Sequence, residues 1–351
     1  MASLSASAPM PESPAGHRER NRTVAANPPP QQPYAAIDLG TNNCRLLIAR
    51  PTAGGFTVVD AFSRIVRLGE GLASSGRLTK DAMDRAVEAL GVCSDKLRRR
   101  RVGLARSVAT EACRRAANGR DFIERVHVET GIALEIIAPQ EEARLAVLGC
   151  HKLLEPGDGP AIIFDIGGGS TELVLVEPGG PDGNPRIRAW WSAPWGVVSL
   201  TESEGRAAIE GPDRVAAYAR MRTRAARAFD RFTEMLPPPS DNIRLLGTSG
   251  TVTTLASVHL ALPSYDRRAV DGLHVPIGAM RDISNRIAEM DFEGRSALPC
   301  IGSERADLVV AGCAILEAIL DIWPAAHLGI ADRGIREGIL RSLMARDGHK
   351  I

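Results

Sequence analysis

Lysine is nearly missing from this 351-residue sequence: four (Lys80, Lys96, Lys152, Lys350) stand against 39 arginines. Genomic base composition accounts for such a bias, although arginine's planar fork also pairs bidentately with phosphate oxygens. Net charge is lacking too, since 43 Lys+Arg balance 42 Asp+Glu. That argues against a general nucleic-acid coat or an acidic-tail protein and leaves local patches open. The six cysteines (Cys44, Cys93, Cys113, Cys150, Cys300, Cys313) form no Cys-x-x-Cys pair and show no zinc-like spacing to histidine. They fit a reduced interior in which cysteine serves as a small apolar residue. No apolar run is free of charge over a membrane-spanning length: the best, Leu308 to Trp323, carries Glu317 and Asp321 and predicts a buried helix. The N-terminus lacks the basic start and apolar run of a secretion signal. The expectation is a soluble, cytoplasmic protein with no membrane contact.

Residues 1–33 hold seven prolines and no aromatic residue. Such a segment buries too little apolar surface to offset its ordering entropy, and a disordered tail is expected there. Order should begin at Tyr34. Ala35–Ile37 and Leu46–Ala49 are short apolar runs around Asp38-Leu39-Gly40-Thr41-Asn42-Asn43, which predicts a β-hairpin. Strands are expected at Phe56–Phe62, near Val102–Val108 and at Leu134–Ile137. A helix from Thr79 to Arg99 follows from the Thr79 cap and the helical spacing of Ala82, Met83, Ala86, Leu90 and Cys93. Further helices are expected at Glu141–Leu154, Pro212–Met235, Gly278–Met290, Glu304–Ile322 and Arg333–Arg346, with surface loops at Pro178–Pro185 and Pro237–Asp241.

The hairpin recurs. Ala161–Phe164 leads into Asp165-Ile166-Gly167-Gly168-Gly169-Ser170-Thr171-Glu172 and then Leu173–Val176, with an aspartate in the matching place. Two copies more than a hundred residues apart predict an α/β protein built from a duplicated domain pair. The expected division is 34–143 and 144–351, with the Glu141–Leu154 helix linking the halves.

Each turn sets an aspartate after a buried strand, followed by small or hydroxyl residues. Glycine permits close backbone approach and positive φ, aiming N–H groups into a concavity that suits an anion. Thr41, Asn42, Ser170 and Thr171 add donors for phosphate oxygens. Asp38 and Asp165 repel phosphate, so their natural task is to carry a divalent cation or to orient an attacking water. A third cluster, Gly247-Thr248-Ser249-Gly250-Thr251, follows Ile243–Leu246 and predicts a strand, a phosphate loop and a helix start. Glu141-Glu142 opens a helix after Ala138-Pro139-Gln140, where dipole preference alone explains acidic residues. A functional alternative is a glutamate facing the cleft as general base. Arg114, one of 39 arginines, is equally open.

Taken in order, Asp38 to Asn42, Ala109-Thr110 with Arg114, Glu141-Glu142-Ala143-Arg144, Asp165 to Glu172, Gly247 to Thr251 and Asp332-Arg333-Gly334-Ile335-Arg336-Glu337-Gly338 resemble the ordered motifs of the exopolyphosphatase/guanosine pentaphosphate phosphohydrolase (Ppx/GppA) family. The resemblance spans residues 34–346. It implies two ribonuclease H-like domains of the actin-like ATPase superfamily with an interdomain cleft. It also implies Glu142 as catalytic base and Arg114 on the terminal phosphates. Asp165, Gly167, Ser170 and Glu172 would form the phosphate and metal site, opposite Asp38 and its hairpin. Mg²⁺ or another divalent cation is the implied cofactor, and a homodimer the implied tendency. One departure stands out: Ala138-Pro139 replaces the family's Ser-Gly. Longer relatives add a C-terminal helical domain of the HD type, so a short two-domain form is expected.

The implied activity is hydrolysis of the terminal phosphoanhydride of inorganic polyphosphate. Backbone N–H groups of Gly40–Asn42, Gly167–Gly169 and Gly247–Gly250 would cradle the phosphates. Guanosine pentaphosphate is the alternative substrate. The arginines from Arg214 to Arg231 are either a basic track toward the cleft or a solvated helix face. A kinase of the same superfamily would need an acceptor pocket, for which no motif is present, and a non-catalytic ATP-binding module would share the loops. No nucleic-acid duplex is expected as partner.

Overall fold

The computed structural model describes residues 32–157, 159–180, 184–236 and 243–350. All but the last two residues of the expected tail, the whole Pro237–Asp241 loop and part of the Pro178–Pro185 loop lie outside them.

The hairpins form where apolar runs flank the polar turns. β1 (Tyr34–Leu39) pairs antiparallel with β2 (Asn43–Thr52), placing Asp38 opposite Arg45, and β2 pairs antiparallel with β3 (Gly55–Ile65). On its other edge β1 runs parallel to β4 (Leu104–Ala109), and β4 parallel to β5 (Leu134–Ile136). The sheet order is β3-β2-β1-β4-β5. In the second half β6 (Ala161–Ile166), β7 (Thr171–Glu177), β8 (Arg186–Ala193), β9 (Arg244–Thr248), β10 (His274–Pro276) and β11 (His327–Ala331) make a six-stranded sheet. Its run β8-β7-β6-β9-β11 repeats the first sheet strand for strand, with the same pair directions, and β10 adds an antiparallel edge. This is the ribonuclease H-like order twice over, the α/β architecture that the repeated hairpin predicts.

Helices cover both faces of each sheet. The helix Lys80–Arg99 starts where expected, with the Thr79 side chain accepting from the Ala82 N–H, and buries Ala82, Ala86, Leu90 and Cys93 against the first sheet. The helix Val309–Ile322 is buried along its length, with Glu317 held by Arg281 at 2.7 Å. Among the described residues no helix is long and apolar enough to cross a membrane. All six cysteines are buried and free.

The helix Pro139–Cys150 carries the most consequence for position. Pro139 occupies its first turn, where a missing N–H costs no hydrogen bond. Leu145 and Ala146 join the core under the first sheet, while Ala143, Val147 and Cys150 join the core under the second. The closing helix Ile335–Arg346 returns to the first sheet, burying Ile335, Ile339, Leu340, Leu343 and Met344 beside Tyr34, Ala36 and Leu47.

Candidate active site

Both hairpin turns are held from behind. The Thr41 carbonyl accepts from Gly69 N–H at 2.9 Å, and the Asn42 carbonyl accepts from Val66 and Arg67 at 2.8 and 3.0 Å. In the second turn the Gly167 and Gly168 carbonyls accept from Val197 and Val198 at 2.9 and 2.8 Å, and the Gly169 carbonyl accepts from the Ser199 hydroxyl at 3.0 Å. With the carbonyls engaged, the Thr41, Asn42, Gly168 and Gly169 N–H groups find no intramolecular acceptor among the described residues. Free N–H groups in two adjacent turns form a concavity suited to an anion.

The turns also touch each other. A Cβ on Gly168 would lie 2.9 Å from the Thr41 Cβ, and one on Gly169 would lie 2.7 Å from the Thr41 hydroxyl. Close approach of one loop to the other therefore requires these glycines, not left-handed backbone: none of Gly40, Gly167, Gly168, Gly169, Gly247 or Gly250 has a positive φ. The strained residue is Ser249 (φ 85°, ψ −176°), at the start of the helix Gly250–His259, with its hydroxyl donating to the Ile166 carbonyl at 2.7 Å. That region of backbone space is nearly glycine-only, and an outlier held there points to a site.

Between these loops lies a cavity of about 150 Å³. Its walls include Asp38, Gly40, Thr41, Asn42, Glu142, Asp165, Gly167, Gly168, Gly169, Ser170, Glu172, Thr248, Ser249 and Gly250, all anticipated from sequence. Three anticipated residues do not line it. Thr171 turns its hydroxyl to the Trp195 carbonyl at 2.7 Å, and Gly247 sits in the core, where a Cβ would meet the Phe164 ring at 2.7 Å. Arg114 lies behind the wall. It donates to Ile137 O at 2.8 Å, to Glu111 at 2.6 Å and to Glu142 Oε2 at 3.2 Å through both terminal nitrogens. The cations that do line the cavity are Arg45, Arg305, Arg333 and Arg336. Arg333 is engaged by Asp271 at 2.7 Å and Arg305 donates to Thr254 at 3.2 Å. Among the described residues neither Arg45 nor Arg336 has an ion-pair partner. Arg45 was legible in principle, since a hairpin of this turn length puts it across from Asp38. Arg336 arrives with the closing Asp332–Gly338 motif, and Arg305 from a distant segment that no local pattern connects to the loops.

Six carboxylates line this small space; Glu111 pairs with Arg114 at 2.6 Å and Asp332 with Arg267 at 3.1 Å, while the other four are each disfavoured as an anion. Glu142 is 7% exposed; burial and then repulsion from Glu172 raise its pKa well above the ordinary glutamate value, against the pull of Arg114. Burial, opposed by Arg45, raises Asp165 to about 6. Burial and Asp165 raise Glu172 to about 7, although Ser170 and Ser192 donate to its Oε1 at 2.7 and 2.9 Å. Asp38 is raised by burial against Arg45 and Arg336. A buried carboxylate cluster short of positive charge favours bound protons or a bound cation. Among the described residues no three His, Cys, Asp or Glu side chains converge into a closed metal cage.

Exopolyphosphatase 2 of Mycobacterium tuberculosis is 32% identical over 328 residues, covering 88% of this chain and 98% of its own. The crystal structure of an Aquifex aeolicus member of the Ppx/GppA protein family matches with a TM-score of 0.73 at 30% identity, over 91% of this chain and 99% of its own. An exopolyphosphatase from Cytophaga hutchinsonii shares the fold, with a TM-score of 0.80 at 23% identity over 90% and 98% of the two chains. The model of the Ppx/GppA phosphatase family matches residues 47–347, and this chain belongs to that family.

Proposed function

We propose that this chain is an exopolyphosphatase that releases orthophosphate from the end of inorganic polyphosphate. The observation that carries the proposal is Glu142: a buried, high-pKa carboxylate on the wall of a cavity rimmed by unpartnered N–H groups. Arg114, anchored by Glu111 and Ile137 O, orients that carboxylate from behind. A water beside Glu142 gives up its proton to the carboxylate as its oxygen attacks the terminal phosphorus in line. The anhydride P–O bond breaks, orthophosphate forms, and the chain leaves one phosphate shorter. Loop N–H groups, Arg45 and Arg336 face the charge that spreads over the phosphate oxygens.

The carboxylates suit a hydrated divalent cation. Asp165 and Glu172, with Asp38 facing them, would hold Mg²⁺ through one or two carboxylates and water, because no closed cage is present among the described residues. When bound, the ion neutralises charge on the phosphate oxygens. We also take the halves 34–143 and 144–351 as domains that close on substrate, with the helix Pro139–Cys150 spanning the boundary and the helix Ile335–Arg346 returned to the first.

Glu142→Gln is expected to retain polyphosphate binding and to lower phosphate release by about 10²–10⁴-fold. Near-normal turnover of that variant sinks the base assignment. Phosphate release from long-chain polyphosphate against release from guanosine pentaphosphate, at matched concentrations, tests the substrate. A strong preference for the nucleotide overturns the polyphosphate proposal.

A further inference from the structure

Away from the cavity, the helix Arg214–Glu234 places Arg220, Arg224, Arg227 and Arg231 on one stripe, three or four residues apart. Opposite the stripe stand Trp191 on β8 and Trp195 just beyond it, and between them is a hollow of about 750 Å³ with no carboxylate on its walls. The Arg224 guanidinium lies 5.6 Å from the Trp195 ring centre and that of Arg231 lies 4.9 Å from Trp191. Trp191 is itself fixed, its indole N–H donating to Ala228 O at 3.0 Å. Arg220 is paired with Glu204, which also lies 3.9 Å from Arg224, whereas Arg227 and Arg231 have no carboxylate partner among the described residues. The Arg231 guanidinium, stacked on a fixed indole and unneutralised, is preorganised for an anion, with Arg227 unneutralised beside it.

The hollow shares walls, by way of a neighbouring hollow, with the cavity. Pro194 and Trp195 also line a second hollow of about 870 Å³. Asn42 and Leu308 border both that second hollow and the active-site cavity. The middle stretch carries charges of both signs: Asp307 takes Arg67 at 2.7 Å and Arg206 at 2.8 Å, Glu70 takes Arg85 at 2.8 Å, and Glu202 accepts from the Gly71 N–H at 2.8 Å. The three spaces thus run from the arginine stripe, past a span of balanced charge, to the N–H-rich loops of the cavity.

We propose that the Arg220–Arg231 stripe is a second anion site that holds the distal phosphates of a long polyphosphate chain while its terminal phosphate sits at Glu142. The inference rests on the polyphosphatase function proposed above. A short chain fills only the cavity; a long one also reaches the stripe and gains from it. The indole faces are already occupied by arginine, which favours a phosphate chain over a single-stranded nucleic acid that would stack its bases there.

The test compares tripolyphosphate with long-chain polyphosphate in Arg227→Glu/Arg231→Glu and in the milder Arg227→Gln/Arg231→Gln. Both positions are exposed, so folding should survive. KM for the long chain is expected to rise about tenfold, the worth of two partly solvated ion pairs, with tripolyphosphate kinetics within about twofold of the parent. A long-chain KM that does not move, or an equal rise for both substrates, overturns the second site alone. A parent protein that releases no phosphate from either chain overturns the function on which it rests. Loss of oligoribonucleotide binding with an unchanged long-chain KM assigns the stripe to RNA and overturns the proposal.

Discussion

Asp38, Glu142, Asp165 and Glu172 are each held in the form less suited to water, and the consequence is a stability that depends on pH and on cations. Asp165 and Glu172 have folded pKa values of about 6 and about 7, above their unfolded values. The native chain therefore keeps protons that the unfolded chain has released. Between about pH 4 and about 7 the native state binds more protons, so stability falls as pH rises through that window. Without divalent cations, Asp165→Asn should raise neutral-pH stability on the order of 1–3 kcal/mol while abolishing phosphate release. Thermal melts in chelator check this, and a less stable variant refutes it. Added Mg²⁺ should flatten the pH slope in the parent. Because Glu142 must lose its proton to act as base, kcat/KM should fall on the acid side of a limb lying above the usual glutamate range.

Ser249 makes a second residue-scale case. Its hydroxyl bond to Ile166 O offsets part of the cost of a φ that glycine would tolerate. Ser249→Ala keeps the strain and loses the bond, whereas Ser249→Gly loses the bond and relieves the strain. The glycine variant should therefore be more stable than the alanine variant by about 1–2 kcal/mol, read from urea midpoints. Equal midpoints would show that the backbone there is not strained.

At the level of elements, the helices Pro139–Cys150 and Ile335–Arg346 cross with almost no side chain between them. A Cβ on Gly149 would lie 2.0 Å from Gly334 O, and one on Gly338 would lie 2.0 Å from Leu145 O. Gly338→Ala must push the helices apart and should cost about 1–3 kcal/mol in chemical denaturation. It should also lower turnover, because Glu142 rides on the displaced helix. Full stability and activity in this variant would mean that the crossing is loose.

The repeated hairpins were legible because their signal is local: apolar runs, an aspartate, a polar turn. The helices Lys80–Arg99 and Arg214–Glu234 were legible from their periodicity, within two residues at either end. β8, β10 and β11 were not. β8 mixes arginines with tryptophans, and β10 and β11 are three- and five-residue pieces that become strands only through their neighbours. In the site, the loops, the carboxylates and the closing motif with Arg336 could be read along the chain, whereas Arg305 required the fold. Arg114 was expected on the terminal phosphates; in the structure it donates to Glu142, Glu111 and Ile137 O, contacts that only tertiary geometry reveals. The glycines were expected to allow close backbone approach and positive φ; Gly168 and Gly169 allow close approach to Thr41, and Ser249 carries the positive φ.

For the whole molecule, the same five-strand order is used twice, and each sheet contributes one N–H-rich turn to a common cavity. The inner face of the first sheet is finished only by the helix Ile335–Arg346, which covers Tyr34, Ala36, Leu47, Ala49 and Val108. Those five residues leave the ribosome early, and their cover is made after every other element it packs against. The first half therefore emerges with one apolar face open and waits for the second half to be synthesised before it can close. During synthesis, that open face is exposed to chaperones and to aggregation.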